Sequence, residues 1–77
     1  MAKYSPVADM LRDRSLPVTL RFNDIDAAVG GLPASATMYR EWWANHAGNP
    51  QAQAWLGVGA RVDAVDLASG WVLFDAG

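Results

Sequence analysis

Val7, Met10 and Leu11 recur at helical spacing behind a Ser5-Pro6 pair, while Asp9, Arg12 and Asp13 fall off that stripe. Serine as N-cap with proline in the first turn is a helix start, so a first helix is expected over about residues 6–13. After Pro17 the period changes. Val18, Leu20 and Phe22 alternate with Thr19 and Arg21, the pattern of a short half-buried strand. Asn23 is then placed to cap a second helix, with Asp24 and Asp26 in the first turn where the helix dipole favours carboxylates. Ile25, Ala28 and Val29 form its expected apolar face, and Gly30-Gly31 stops it.

Pro33 opens a third helix, in which Ala36, Tyr39 and Trp43 keep i, i+3, i+7 spacing and Trp42 lies three residues after Tyr39. The pattern leaves open whether Trp42-Trp43 still belongs to this helix or starts an extended segment, which would send the two indoles to opposite faces. His46-Ala47-Gly48 reads as a turn. Asn49-Pro50 repeats the cap-plus-proline start, and Ala52, Trp55 and Leu56 face inward on a short helix ended by Gly57. Residues 61–67 and 71–74 read as the strands of a hairpin, with Ala68-Ser69-Gly70 as its loop.

The order is helix, strand, three helices, strand, strand. That predicts an α+β fold of winged-helix-like order, α-β-α-α-α-β-β, with a small three-stranded antiparallel sheet packed on the helices. The first strand is expected to join the C-terminal hairpin.

Composition bounds what such a fold can be. A chain of 77 residues with 52% hydrophobic and 18% charged residues is too apolar for disorder, and its length fits one compact domain over residues 1–77. The stretch from Trp42 to Ala60 carries no formal charge, yet Asn45, His46, Asn49, Pro50, Gln51 and Gln53 exclude it as a membrane span. No apolar run follows the Met1-Ala2-Lys3 start, so no secretory leader is expected there. Together with the absence of cysteine this points to a soluble protein of the cytoplasm.

The chemistry of sites is sparse. One histidine and no cysteine cannot build a protein-made zinc site, and no metal is expected. Gly57-Val58-Gly59 lacks the third glycine and the preceding strand of a dinucleotide loop, and no phosphate loop with Gly-Lys-Ser/Thr exists, so no cofactor is expected either. Ser35, His46 and an aspartate lack any nucleophile-elbow spacing. Asp63 and Asp66, three apart on a plain strand, would point to opposite faces and read as solvated surface. The expectation is a protein that is not an enzyme.

Charge distribution is more informative. Between Ala27 and Ala60 the only formal charges are Arg40 and Glu41, which cancel, and the flanks hold the rest of a net charge of −2. The same stretch contains Trp42, Trp43, Trp55, Tyr39 and the amides Asn45, Asn49, Gln51 and Gln53. Aromatic enrichment with charge depletion composes both a hydrophobic core and the centre of a protein–protein interface. On the interface reading the contact residues are Tyr39, Arg40, Trp42, Trp43, Asn45, His46 and Gln51, and the partner is another protein or a second copy. Nucleic acid is the alternative, because Asn and Gln pair with adenine edges. Against it, Lys3 and five arginines face eight carboxylates, a poor footprint for phosphate neutralisation.

The runs Gly30-Gly31-Leu32-Pro33-Ala34-Ser35-Ala36, Tyr39-Arg40-Glu41-Trp42-Trp43-Ala44-Asn45 and Gln51-Ala52-Gln53-Ala54-Trp55-Leu56, with the flanking Phe22-Asn23-Asp24-Ile25-Asp26, Val62–Leu67 and Val72-Leu73-Phe74 segments, resemble a small domain of unknown function of bacteria and their phages. The resemblance spans nearly the whole chain. It implies a small α/β fold, no catalytic residues, and an association with nucleic acid through the nuclease-type domains such proteins accompany. The chain departs from that pattern at Gly59-Ala60, where an aromatic is common, and at Phe74-Asp75, where basic residues are common. The lead expectation is thus a non-enzymatic recognition module acting through an aromatic, uncharged surface. A winged-helix DNA-associated regulator using Arg40, Asn45 and Gln51 is second.

Overall fold

The computed structural model describes residues 3–77. Met1 and Ala2, on which the reading of a leader partly rested, lie outside the described residues. The elements are α1 (Ser5–Arg12), β1 (Val18–Arg21), α2 (Phe22–Val29), α3 (Ala34–Met38), a 3₁₀ turn (Arg40–Trp43), α4 (Pro50–Leu56), β2 (Ala60–Asp66) and β3 (Trp71–Ala76). β3 lies between β1 and β2 and is antiparallel to both. This is the α+β architecture and the winged-helix-like order expected. The helices cover one face of the sheet, and Leu20, Val62, Val72 and Phe74 from the strands meet Val7, Leu11, Ile25, Trp43 and Trp55 in one core.

The helix starts differ from the sequence expectation. Ser5 is already inside α1, and Tyr4 stands at the N-cap with no side-chain cap bond. Its carbonyl accepts the Val7 N–H at 3.0 Å while its ring packs edge-on against Trp42, so a tertiary contact holds the start of this helix. Phe22 opens α2 instead of ending β1, which displaces Asn23 from the cap. The Phe22 N–H donates to the Gly70 carbonyl at 2.8 Å, extending the β1–β3 ladder by one bond as the chain turns into the helix. Asp26 is not a first-turn residue. It gathers the other end of α2: its carbonyl accepts the Gly31 N–H at 2.8 Å and its Oδ1 accepts the Leu32 N–H at 2.6 Å. Gly30 closes the helix in the left-handed region with φ 78°. The buried stripe of α2 is Phe22, Ile25 and Val29, and Ala28 is exposed.

Neither alternative for Trp42-Trp43 holds. α3 ends at Met38, Tyr39 is extended (φ −128°, ψ 127°), and the next four residues wind a separate 3₁₀ turn. Asn49 does sit at the N-cap of α4, but without a side-chain cap bond. The first hairpin strand runs from Ala60 to Asp66, one residue earlier than expected, and the second is longer than expected, from Trp71 to Ala76. The register shifts between Val62 and Ala64, so Asp63 forms a bulge. Alternation restarts after it. Asp63 and Asp66 are therefore not simply on opposite faces, and Ala64 and Asp66 share the face of Arg61 that turns away from the helices.

Candidate functional site

Within the charge-poor centre of the chain, residues 39–49 form the irregular strap that joins α3 to α4 beside the free edge of β2. Its two tryptophans join rings from the start of α1, α2, α4 and β3 in one continuous aromatic chain. Tyr4 meets Trp42 at 5.6 Å, Trp42 meets Trp43 at 4.6 Å, and Trp43 stacks on Phe22 at 5.1 Å and on Trp55 at 5.9 Å. Trp55 then meets Phe74 edge-on at 5.6 Å. Trp43 and Trp55 are 2% and 1% exposed, while Trp42 is half-buried at the outer end.

The polar side chains of the strap hold backbone. Trp43 Nε1–H donates to the Ala36 carbonyl at 2.8 Å and folds the 3₁₀ turn back onto α3. Asn45 acts as a strand surrogate along the β2 edge. Its Nδ2 donates to the Val62 carbonyl at 2.9 Å and its Oδ1 accepts the Val62 N–H at 2.7 Å. The same oxygen accepts Trp55 Nε1–H at 3.0 Å. Arg40 donates to the Val65 carbonyl at 2.9 Å, further along that edge. Gln51 donates to the Trp42 carbonyl at 3.0 Å, and His46 Nδ1 accepts the Gly48 N–H at 3.0 Å inside its turn. An unpaired strand edge invites pairing with another chain, and here Asn45 and Arg40 occupy it.

Of the seven sequence-predicted contact residues, Trp43 is therefore in the core. Asn45 and Gln51 are bound into the strap, Arg40 is exposed with one nitrogen tied to β2, and His46 is an exposed turn residue. Trp42 is a half-buried rim. Tyr39 is open. It and its neighbour Met38 are 55% and 60% exposed, the large apolar side chains that the fold leaves most in solvent.

A model of a domain of unknown function, DUF7662, matches residues 4–77. The chain belongs to the DUF7662 family. No curated protein and no solved structure matches it.

Two features of this DUF7662 domain escaped the sequence reading. A groove of about 480 Å³ runs between α1 and α4, floored by Ala8, Pro50, Ala54 and Val58 and flanked by Asp9 and Arg12. Those two charges pair with each other at 2.7 Å. The second feature is the sheet face turned away from the helices. Val72 and Phe74 point into the core, so Trp71 and Leu73 point out, and neither belongs to the core cluster. Four consecutive apolar residues from Trp71 to Phe74 carry that signal: strict alternation makes both faces of such a strand apolar. Among the described residues no helix is long and apolar enough to cross a membrane.

Proposed function

We propose that this DUF7662 domain is a non-enzymatic recognition module that binds a protein partner through the Met38–Tyr39 protrusion. The observation that carries the reading is the exposure of both side chains on a segment whose two ends are fixed. The Tyr39 N–H donates to the Ser35 carbonyl at 3.0 Å, and the next residue, Arg40, is tied to β2. Apolar groups presented on a fixed backbone lose little conformational entropy on binding. Tyrosine is enriched at the residues that dominate binding energy, and methionine adapts its shape to a partner pocket. The reading as a binding module rather than an enzyme rests on the way Asn45, Gln51, Trp43 and Arg40 spend their polar atoms on backbone groups.

The test is retention of partners from the native host by the wild-type domain and by a Met38→Ala/Tyr39→Ala double variant, with thermal melting as the control. Proteins held by the wild type and lost by an equally stable variant support the reading. An identical retained set overturns it.

The order of elements and the β1-β3-β2 sheet favour one second reading, a DNA-associated regulator of winged-helix type. Charge argues against it, since α4 carries no cation and the hairpin carries Asp63 and Asp66. Binding to duplex DNA in a salt series decides: affinity that falls steeply with salt supports the regulator, and no affinity at low salt removes it.

A further inference from the structure

The outer face of the sheet is ordered in three rows by the strand register. Arg21, Trp71 and Asp66 lie side by side across β1, β3 and β2. Thr19, Leu73 and Ala64 form the next row, and Asp75 and Arg61 the third. The helices pack on the opposite face, and Trp71 and Leu73 are half-buried on this one, outside the core cluster. Trp71 also differs from the other three tryptophans: each of those has an aromatic ring within 6 Å, and Trp71 has none among the described residues.

The charges around this patch are arranged for one occupant. A second copy laid face to face, related by a two-fold axis parallel to β3, puts β1 of each copy over β2 of the other. Arg21 then meets Asp66 of the second copy, and the same pair repeats on the other side of the axis. Trp71 meets Trp71, Leu73 meets Leu73, and Thr19 meets Ala64. In the third row Asp75 meets Asp75 of the second copy on the axis, and each Asp75 keeps the Arg61 of its own copy beside it in the sheet. An isologous contact requires such self-complementarity, in which residue i meets j and j meets i. Facing sheets sit about 10 Å apart with interdigitated side chains, which suits indoles and leucines at the centre.

We infer that the outer sheet face is a homodimer interface, with Trp71 and Leu73 at its centre and Arg21–Asp66 pairs at its margin. Three strands about 4.8 Å apart and about 17 Å long give a footprint of roughly 240 Å² per copy. A stable interface buries about 800 Å² per partner, so this dimer is a weak one, to be sought at millimolar concentration. The inference uses a different surface from Met38–Tyr39 and stands or falls separately from the proposed function.

The experiment is a dilution series of the ¹⁵N-labelled full chain from about 1 mM, read at the four indole N–H resonances, with sedimentation equilibrium on the same samples. The Trp71 resonance is expected to move with concentration while those of Trp43 and Trp55, buried and hydrogen-bonded, stay in place. Leu73→Lys, which places a charge at the centre without touching any turn, is expected to remain monomeric throughout. Arg21→Glu is expected to raise the Kd about tenfold or more, by setting two like charges against Asp66. The double variant Arg21→Glu/Asp66→Arg is expected to return to within about threefold of wild type, because the pair is only exchanged. Asp66 Oδ1 also accepts the Ser69 N–H at 2.9 Å, so every variant is checked by thermal melting, and Leu73→Lys decides if the double variant fails to fold. A strict monomer at about 1 mM, a concentration-dependent shift confined to Met38–Tyr39 or the α1–α4 groove, or dimerisation unaffected by Leu73→Lys overturns the inference. A folded double variant that stays as weak as Arg21→Glu overturns the axis.

Discussion

Replacing Asn45 with alanine removes three hydrogen bonds from one side chain and separates the strap from both β2 and α4. Two of them hold the Val62 N–H and carbonyl, at 2.7 and 2.9 Å, and the third holds Trp55 Nε1–H at 3.0 Å. A typical bond contributes about 1 kcal/mol net, and a buried donor left unpaired costs about 1–3 kcal/mol. The Val62 groups lie on a strand edge that water can reach once the amide is gone, so their loss is the smaller part. Trp55 is 1% exposed, and its N–H points at the same oxygen, so it regains a partner only where water enters the vacated place. The expected loss is about 2–4 kcal/mol. For a domain of 77 residues the total stability is about 4–12 kcal/mol, so this is a large fraction. Urea unfolding followed by tryptophan fluorescence reads it directly. With a slope near 1 kcal/mol per molar, the midpoint falls by about 2–4 M. A double-mutant cycle with Trp55→Phe isolates the third bond and should show a coupling of about 1 kcal/mol. A loss below about 1 kcal/mol for Asn45→Ala refutes the reasoning, and returns Asn45 to the set of residues free to meet a partner.

Trp43 and Trp71 should separate sharply. Trp43→Phe keeps an aromatic ring between Phe22 and Trp55 but deletes the buried bond to the Ala36 carbonyl, for an expected loss of about 1–3 kcal/mol by urea unfolding. Trp71→Ala, on the outer sheet face, should cost about 1 kcal/mol or less in dilute solution, the scale of a cross-strand pair. Asn49→Ala should cost under about 0.5 kcal/mol although an N-cap substitution ordinarily costs about 1 kcal/mol, because no side-chain cap bond exists to lose. Gly30→Ala should lower the urea midpoint by the equivalent of about 1 kcal/mol, since φ is 78° there while the space around a new Cβ is open. Gly30→Asn should recover part of that.

The strands were legible because their signal is local. Val18 and Leu20 against Thr19 and Arg21 state a period of two, and the short apolar run after Gly70 reads as a strand by its length and its bounding turn, without help from the rest of the chain. The helix stops at Gly30 and Gly57 and the N-cap position of Asn49 were legible too, but what holds the helix starts was not. Ser5, Asn23 and Asn49 are residue types that cap helices, yet none of the three helices starts on a side-chain cap bond. Tyr4 against Trp42 and Phe22 N–H on the Gly70 carbonyl fix the starts of two of them, and both contacts join residues far apart in sequence. Trp42-Trp43 escaped for the same reason. The 3₁₀ turn is held by Trp43 reaching back to Ala36 and by Gln51 reaching back to Trp42, bonds that no window of propensities contains. The candidate surface was legible as a segment and not as side chains: residues 39–51 hold the open Tyr39 beside the buried Trp43 and the committed Asn45.

That mixture follows from what uncharged amides do. An irregular strap beside a core leaves backbone carbonyls without ladder partners, and a buried carbonyl must be satisfied. Asn45 and Gln51 supply the donors at the part-buried carbonyls of Val62 and Trp42, and Gln53 adds an exposed one to Ala47. A lysine could donate as well, but desolvating its charge next to Trp43 and Trp55 costs more than desolvating an amide. Charge depletion between Ala27 and Ala60 accompanies both the amide bonds of the strap around Trp43 and Trp55 and the exposed Met38 and Tyr39. A recognition surface has to be sought where large apolar side chains leave the core despite that cost in solvent. In this fold the places are Met38–Tyr39 at the end of α3 and Trp71–Leu73 on the sheet. The first lies inside the neutral segment. The second lies outside it, with Arg21 and Asp66 at its edges, and is the face inferred above to meet a second copy.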